Sequence, residues 1–248
     1  MKIAVISDIH GNLSALQAVL AHIQEQNIEH IHCLGDVVGY GPYPRECLNL
    51  ITKHTDSLIM GNHEDALAHE ELLEDLTRHA IEGLVFARKE LSDANIQGLK
   101  SLKRWKKIPC LDIVLSHGSM TGNKTWHYVI NSDDAEQNLK KFDEKILFIG
   151  HTHSPFLYGS LRRLYNYVSD GLDLSGSQRY IINVGSVGQP RDGDVRASYV
   201  TLDFVDNSKK GSIILDMHRV PYDIAQTEQA MKEKGLSRFL SDRLYRGE

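Results

Sequence analysis

Apolar positions along this chain follow two rhythms. Residues 2–7 (KIAVIS) and 146–149 (ILFI) are apolar runs without alternation, as in strands buried on both faces. Leu13, Leu16, Val19, Leu20 and Ile23 instead recur at helical spacing and predict a helix from about Leu13 to Gln26. HIHCL (30–34) and SLIM (57–60) predict a second and a third strand. The helix between them is expected to begin near Pro42, where a first-turn proline is tolerated. Such a βαβαβ opening points to a mainly parallel sheet covered by helices. From Glu64 to about Lys107 the strand signal disappears. Ala80, Leu84, Ala87 and Leu91 keep helical spacing, Ser92 can cap a further helix, and Ile96, Leu99 and Leu102 continue it, so this stretch is expected to be a helical insertion. Strands resume at CLDIVLS (110–116), ILFI, FLYGS, LRRLYNY, YIINV (180–184), ASYVTLDFV and GSIILDMHRV. The later ones are expected to be antiparallel, with a hairpin turn at DNSKKG, and SDGLDLSGSQ (169–178) reads as a polar loop.

Polar residues fall on this map in a pattern. The first strand ends in SDIHGN with Asp8 and His10, the second in LGDVVGYG with Asp36, and the third in MGNHED with Asn62 and His63. CLDIVLSHGS ends with His117, and ILFIGHTH with His151 and His153. In an extended segment the last two rings would point to the same side, where they either crowd one another or share a cation. Singly, each residue has a plain structural use: Asp8 as a helix cap, Asn62 in a left-handed turn, His117 as an interior histidine. Together they differ, because ligands of open parallel sheets collect beyond the carboxyl ends of strands. Carboxylates and imidazoles gathered there would repel or stay unsatisfied without a cation. Carboxylate, imidazole and amide oxygen make a mixed donor set suited to Mn²⁺, Fe or Zn²⁺.

Composition narrows the setting. The 248 residues, 41% hydrophobic and 25% charged, suffice for one sizeable α/β unit. A net charge of −5 shows no basic bias and argues against nucleic acid as a partner. No apolar run is long enough for a bilayer and no signal-peptide core follows Met1, so a cytoplasmic protein without membrane contact is expected; a homo-oligomer stays open. Cys33, Cys47 and Cys110 are odd in number and set among apolar residues, which suits buried thiols in a reducing compartment.

The five blocks SDIHGN, GDVVGYG, GNHED, SHGS and GHTH, in this order, closely resemble the signature of the calcineurin-like metallophosphoesterases. INVGSVGQPRDGD (182–194) resembles a segment of that superfamily's bacterial YfcE-type phosphodiesterase branch. The resemblance implies an α/β fold, a four-layer αββα double β-sheet sandwich, with residues 1–248 as one metallophosphoesterase domain carrying the helical insertion at about 64–107. It also implies a dinuclear site: Asp8, His10 and His153 on one metal, Asn62, His117 and His151 on the other, and Asp36 bridging them. Manganese is expected first, with iron, zinc or nickel as alternatives. His63 would face the substrate and protonate the leaving oxygen rather than bind metal. The implied activity is hydrolysis of small phosphodiesters by a water activated between the ions, the alternatives being a phosphomonoesterase, a dinucleoside polyphosphate hydrolase or a catalytically weak metal-binding scaffold. The segment MTGNKTWHYV after SHGS departs from the commoner relatives where it is expected to border the pocket. Tyr40, Tyr43 and Arg45 are candidate pocket residues, and Arg191 and Asp192 a candidate ion pair or substrate contact.

Overall fold

The computed structural model describes residues 1–122, 125–161, 163–165, 171–205 and 212–248. In chain order the elements are β1 (Lys2–Ile6), α1 (Leu13–Glu25), β2 (His30–Cys33), α2 (Pro44–His54), β3 (Ser57–Leu58), α3 (Asn62–Ala68), α4 (Arg78–Glu90), α5 (Asp93–Lys100), β4 (Trp105–Ile108), β5 (Ile113–Ser116), α6 (Ser132–Leu139), β6 (Ile146–Ile149), β7 (Phe156–Gly159), β8 (Arg163–Tyr165), β9 (Leu172–Asp173), β10 (Tyr180–Asn183), β11 (Ala197–Val205), β12 (Ser212–Val220), α7 (Ile224–Glu233) and α8 (Arg238–Asp242). They build two six-stranded sheets, ordered β3-β2-β1-β11-β12-β9 and β4-β5-β6-β10-β7-β8. Within the first, β1, β2 and β3 are parallel and β11 joins β1 antiparallel. Within the second, β5, β6 and β10 are parallel.

Side-chain alternation explains why the strands lack polar positions. Ile3 and Val5 of β1 point at the second sheet, where they pack in one cluster with Ile113, Leu115, Ile146, Phe148 and Ile182, while Ala4 and Ile6 point at Leu16, Val19 and Ile23 of α1. On the far side Val114, Leu147, Ile149 and Ile181 pack on Ala135 and Leu139 of α6. Each sheet is therefore apolar on both faces, and the layers stack as helix, sheet, sheet, helix, the expected αββα sandwich.

Several boundaries differ from expectation. Pro44, not Pro42, opens α2. The stretch expected to be wholly helical ends in β4, whose Trp-Lys-Lys-Ile sequence hides its identity because it is an exposed edge strand whose one strand partner among the described residues is β5. Lysines on such an edge discourage pairing with another chain. The polar loop at 169–178 contributes the short edge strand β9, and α6 and α7 were not foreseen. Ser92 does cap α5, accepting the Asn95 N–H at 3.2 Å. The turn expected at DNSKKG, like Asn166 and Tyr167 of the LRRLYNY strand, lies outside the described residues, although Val205 pairs with Ser212 on either side of that turn. Cys33 and Cys47 are buried as expected; Cys110 is exposed, because it sits in a 3₁₀ turn at the sheet edge rather than in β5. Among the described residues no helix is long and apolar enough to cross a membrane.

The contact between the sheets should dominate stability. Phe148, fully buried between them, is expected to cost about 3–5 kcal/mol when truncated to alanine; urea denaturation checks this, and a loss below about 1 kcal/mol would contradict the packing described.

Candidate metal centre

The parallel strands of both sheets deliver their carboxyl ends to one place. Asp8 and His10 follow β1, Asp36 follows β2, Asn62 and His63 open α3 just beyond β3, His117 follows β5, and His151 and His153 follow β6. All eight are buried. Their donor atoms form overlapping groups, Asp8–His10–His153, His10–Asp36–His63 and Asp36–His117–His151, each within 4.8 Å. Asn62 Oδ1 lies 3.0 Å from His117 Nε2. Asp36 Oδ2 sits between the two ends of the cluster, 3.3 Å from His117 Nε2 and 3.7 Å from His10 Nε2.

Backbone strain accompanies this convergence. Asp8 (φ 54°), His10 (50°), Asp36 (51°), His151 (67°) and His153 (59°) all take left-handed conformations, each costing about 1–2 kcal/mol for a residue with a Cβ. The GHTH segment is therefore not extended. His153 turns toward Asp8 and His10 while His151 turns toward Asp36 and His117, so the pair serves opposite ends of the cluster. Neighbouring loops hold these conformations: Ile9 and His10 N–H groups donate to Asp36 O at 2.8 and 2.9 Å, and the His151 N–H donates to Asp8 Oδ2 at 3.0 Å. Gly150 permits the last contact, because a Cβ there would stand 2.2–2.3 Å from Ser7 Oγ and Asp8 Oδ2.

Hydrogen bonds fix the imidazole tautomers. His10 Nδ1 lies 3.0 Å from Val38 O, His117 Nδ1 3.0 Å from Leu34 O, and His153 Nδ1 2.6 Å from Gln189 O. A carbonyl only accepts, so Nδ1 carries the proton in each ring and, in a neutral ring, Nε2 presents a lone pair, the orientation typical of metal-ligating histidine. His10 and His153 aim those lone pairs at one another across 3.0 Å, with Asp8 Oδ1 3.1 Å from His153 Nε2. Asp8 Oδ1 and His151 Nε2 are buried without a hydrogen-bond partner. Burial pushes His10 and His153 below the ordinary histidine range and His151 down to about 3. At His117 burial acts the same way but is outweighed by Asp36 and Asp8, which lift it to about 9. Against burial, His153 holds Asp8 and His117 holds Asp36 below the usual carboxylate range. One imidazolium thus faces two buried carboxylates, and lone pairs point inward with no proton to share. The residues fit a cation.

His63 belongs to the same cluster. Its Nε2 is 3.9 Å from Asp36 Oδ2, its Nδ1 is buried without a partner, and burial, partly offset by Asp36, takes it down to about 4. Gly39 makes room for the ring: a Cβ at that position would meet His63 Nδ1 at 2.1 Å.

Glu64 was missed in the sequence, although it stands at the third position of α3, where acidic residues cap helices. Fully buried, its carboxylate accepts N–H groups from Asp36, Val37, Val38 and Gly61 at 2.6–3.2 Å and so ties the loop carrying Asp36 to the start of α3. Burial and the nearby Asp36 charge push it up to about 7, against the pull of those donors.

A cleft of about 490 Å³ opens over the cluster. Tyr40 and Arg191 line it, as do Thr125, Trp126, His127 and Tyr128 of the segment after SHGS that was expected to border the pocket. Trp126 Nε1 donates to Asp65 Oδ2 at 3.0 Å, Arg104 also bonds Asp65 and lies 4.1 Å over the Trp126 ring, and Tyr128 stacks on His151 at 4.2 Å. Other candidates fall elsewhere. Tyr43 packs on the helical side of the first sheet, Arg45 pairs with Glu46 and Glu90, and Asp192 pairs with Arg219 rather than Arg191.

Residues 1–207 match the calcineurin-like phosphoesterase superfamily domain, and the chain belongs to that superfamily. Its relatives include the uncharacterised protein MJ0912 of Methanocaldococcus jannaschii, 33% identical over 99% of this chain and 98% of that protein. The crystal structure of a metallophosphoesterase from Sphaerobacter thermophilus superposes with a TM-score of 0.83 at 36% identity, covering all of both chains. A symmetrical bis(5′-nucleosyl)-tetraphosphatase of Psychromonas ingrahamii is 24% identical over 74% of this chain and 64% of that enzyme.

Glu64 provides a direct test of the scaffold. Glu64→Gln turns an amide NH₂ toward two of the four backbone N–H groups and should destabilise the fold by about 1–3 kcal/mol for each donor left unpaired while weakening Mn²⁺ binding on the order of 10–100-fold. Denaturation and metal titration check both; wild-type values in the two measurements would contradict the positioning role.

Proposed function

We propose that the chain is a divalent-metal-dependent phosphoesterase acting on small phosphodiesters. One observation carries the reading: imidazoles clamped through Nδ1 present their Nε2 atoms to buried carboxylates from the opposite strand ends. In this reading Asp8, His10 and His153 would hold one ion and Asn62, His117 and His151 a second, and Asp36, whose carboxylate lies between the two sets, would serve both and offset their mutual repulsion. The oxygen and nitrogen donor set suits Mn²⁺ first, with Fe or Zn²⁺ as alternatives. Bound ions supply Lewis-acid charge to the phosphate oxygens and acidify water in the site.

The chain's own groups do the rest. The Val38, Leu34 and Gln189 carbonyls lock the ligand rings before substrate arrives. His63 sits beside Asp36 at the cleft wall, placed to give a proton to the leaving oxygen. Burial, helped by the neighbouring His153, Arg191 and His117, disfavours the charged form of that ring; an anionic ester docked beside it favours the charged form. Trp126 and Tyr128 line one side of the cleft. Kinship with the YfcE-type phosphodiesterase branch rests on INVGSVGQPRDGD, whose Gln189 clamps His153. A second reading, hydrolysis of a dinucleoside polyphosphate, is favoured by the tetraphosphatase relative.

Elemental analysis after purification without chelators should find more than one equivalent of Mn, Fe or Zn per chain. Chelation should abolish hydrolysis of bis(4-nitrophenyl) phosphate and Mn²⁺ should restore it; metal-free protein with full activity refutes the reading. His63→Ala should keep its metal yet lose on the order of 10²–10⁴ in turnover. That loss should be smallest for 4-nitrophenolate, a leaving group that needs little protonation, and largest for a ribose alkoxide. Equal losses on both esters together with reduced metal content would make His63 a metal-positioning group instead.

A further inference from the structure

A second cavity of about 980 Å³ adjoins the metal cleft, and the two share Tyr128 and Arg191 as lining residues. Three arginines reach this groove: Arg191, Arg196 and Arg219. Two are already neutralised. Arg196 bonds both oxygens of Asp194, at 2.6–3.2 Å, and Arg219 is paired with Asp192. Arg191 is different. Its Nε and Nη2 donate to Gln189 Oε1 at 3.2 and 2.7 Å, its guanidinium lies 5.8 Å from the Tyr40 ring centroid, and among the described residues no carboxylate comes within ion-pair distance of it.

Those neighbours are neutral, so they aim the guanidinium without cancelling its charge. The aim is firm. Gln189 is buried, the Arg191 N–H donates to His153 O at 3.1 Å, and Arg191 O accepts from Ser154 Oγ at 3.2 Å, so the residue is tied to the segment that carries a ligand of the metal centre. Its charge is felt at Tyr40, His63 and His153, and at Arg243 of the last 3₁₀ turn, where burial and Arg191 both disfavour a second cation. Arg243 has no carboxylate within ion-pair distance among the described residues, although Glu248 partly offsets its charge. Arg191 also hydrogen-bonds Tyr40, and a planar guanidinium held only by neutral groups, with no acidic partner among the described residues, recognises an anion of phosphate geometry.

We infer that Arg191, at the junction of the two cavities, binds a second phosphate of the substrate, and that the protein prefers esters carrying an additional anionic phosphoryl group over esters with the scissile phosphate alone. The inference rests on the phosphoesterase reading for the first phosphate and adds the substrate class.

The matched probes are thymidine 3′,5′-bisphosphate and thymidine 5′-monophosphate, titrated calorimetrically into the Mn²⁺-loaded protein. Their 5′-(4-nitrophenyl) esters, with and without the 3′-phosphate, give the corresponding ratio of kcat/KM. In the wild type the extra phosphate should improve both binding and kcat/KM on the order of tenfold or more, the usual worth of charge-assisted hydrogen bonds, with the kinetic gain in KM. Arg191→Met should bring both ratios close to one. Arg219→Met, which removes a cation already paired with Asp192, should leave them within about threefold of the wild type. If Arg191→Met does not fold, Arg191→Lys, which keeps the charge but loses the fork, is read the same way: lowered ratios support the assignment and unchanged ratios refute it. Equal affinity of the wild type for the two nucleotides, or ratios that survive Arg191→Met, overturns the proposal. Failure of the phosphoesterase reading is seen separately, as loaded wild type that cleaves neither ester while calorimetry still reports the binding ratio.

Discussion

A shortage of positive charge at the carboxyl edge of the two sheets governs this structure. Asp8 and Asp36 are anionic and shielded from water, His117 alone among the surrounding rings is lifted toward the charged form, and His10 and His153 point lone pairs at each other across 3.0 Å. Unpaired buried charge costs several kcal/mol even after relaxation. His10 and His153 cannot relieve this by moving a proton to Nε2, because the Val38 and Gln189 carbonyls hold their Nδ1–H groups. The arrangement becomes favourable when cations enter it.

The sandwich makes such a cluster attainable. Parallel strands in each sheet end at the same edge, and the apolar packing between the sheets, through Ile3, Val5, Phe148 and Ile182, brings those two edges face to face. Loops that must turn at once after a strand take left-handed conformations at Asp8, His10, Asp36, His151 and His153. The hydrogen bonds of Glu64, Asp36 O and Asp8 Oδ2 support that strain from neighbouring loops. Ligand placement and loop rigidity are thus one property: residues that would be metal ligands also fasten the backbone carrying other ligands.

Around this centre stands the wall of the cleft. Trp126 is fastened to Asp65 and covered by Arg104, and Tyr128 lies on His151, so the segment after β5 forms one side of the cleft. Arg191, like Tyr128, lines the cleft where it meets the larger groove.

The sequence by itself determined the elements and the candidate donors. Runs such as KIAVIS and ILFI announce strands buried on both faces, and five glycine-flanked strand ends with metal-type side chains announce where ligands gather, because hydrophobic period and strand-end chemistry are local properties. Sequence did not disclose β4, whose lysines face water at an edge, or α6 and α7. Nor did it disclose that His151 and His153 diverge, since that depends on left-handed turns stabilised by Asp8 from a distant strand. Tertiary structure alone decided that Glu64 gathers four backbone donors and that Asp192 pairs with Arg219, which leaves Arg191 without a carboxylate partner among the described residues. The physical reason is the same in each case: partner choice among polar groups depends on distance in space, and residues far apart in the chain become neighbours only when the two sheets close on each other.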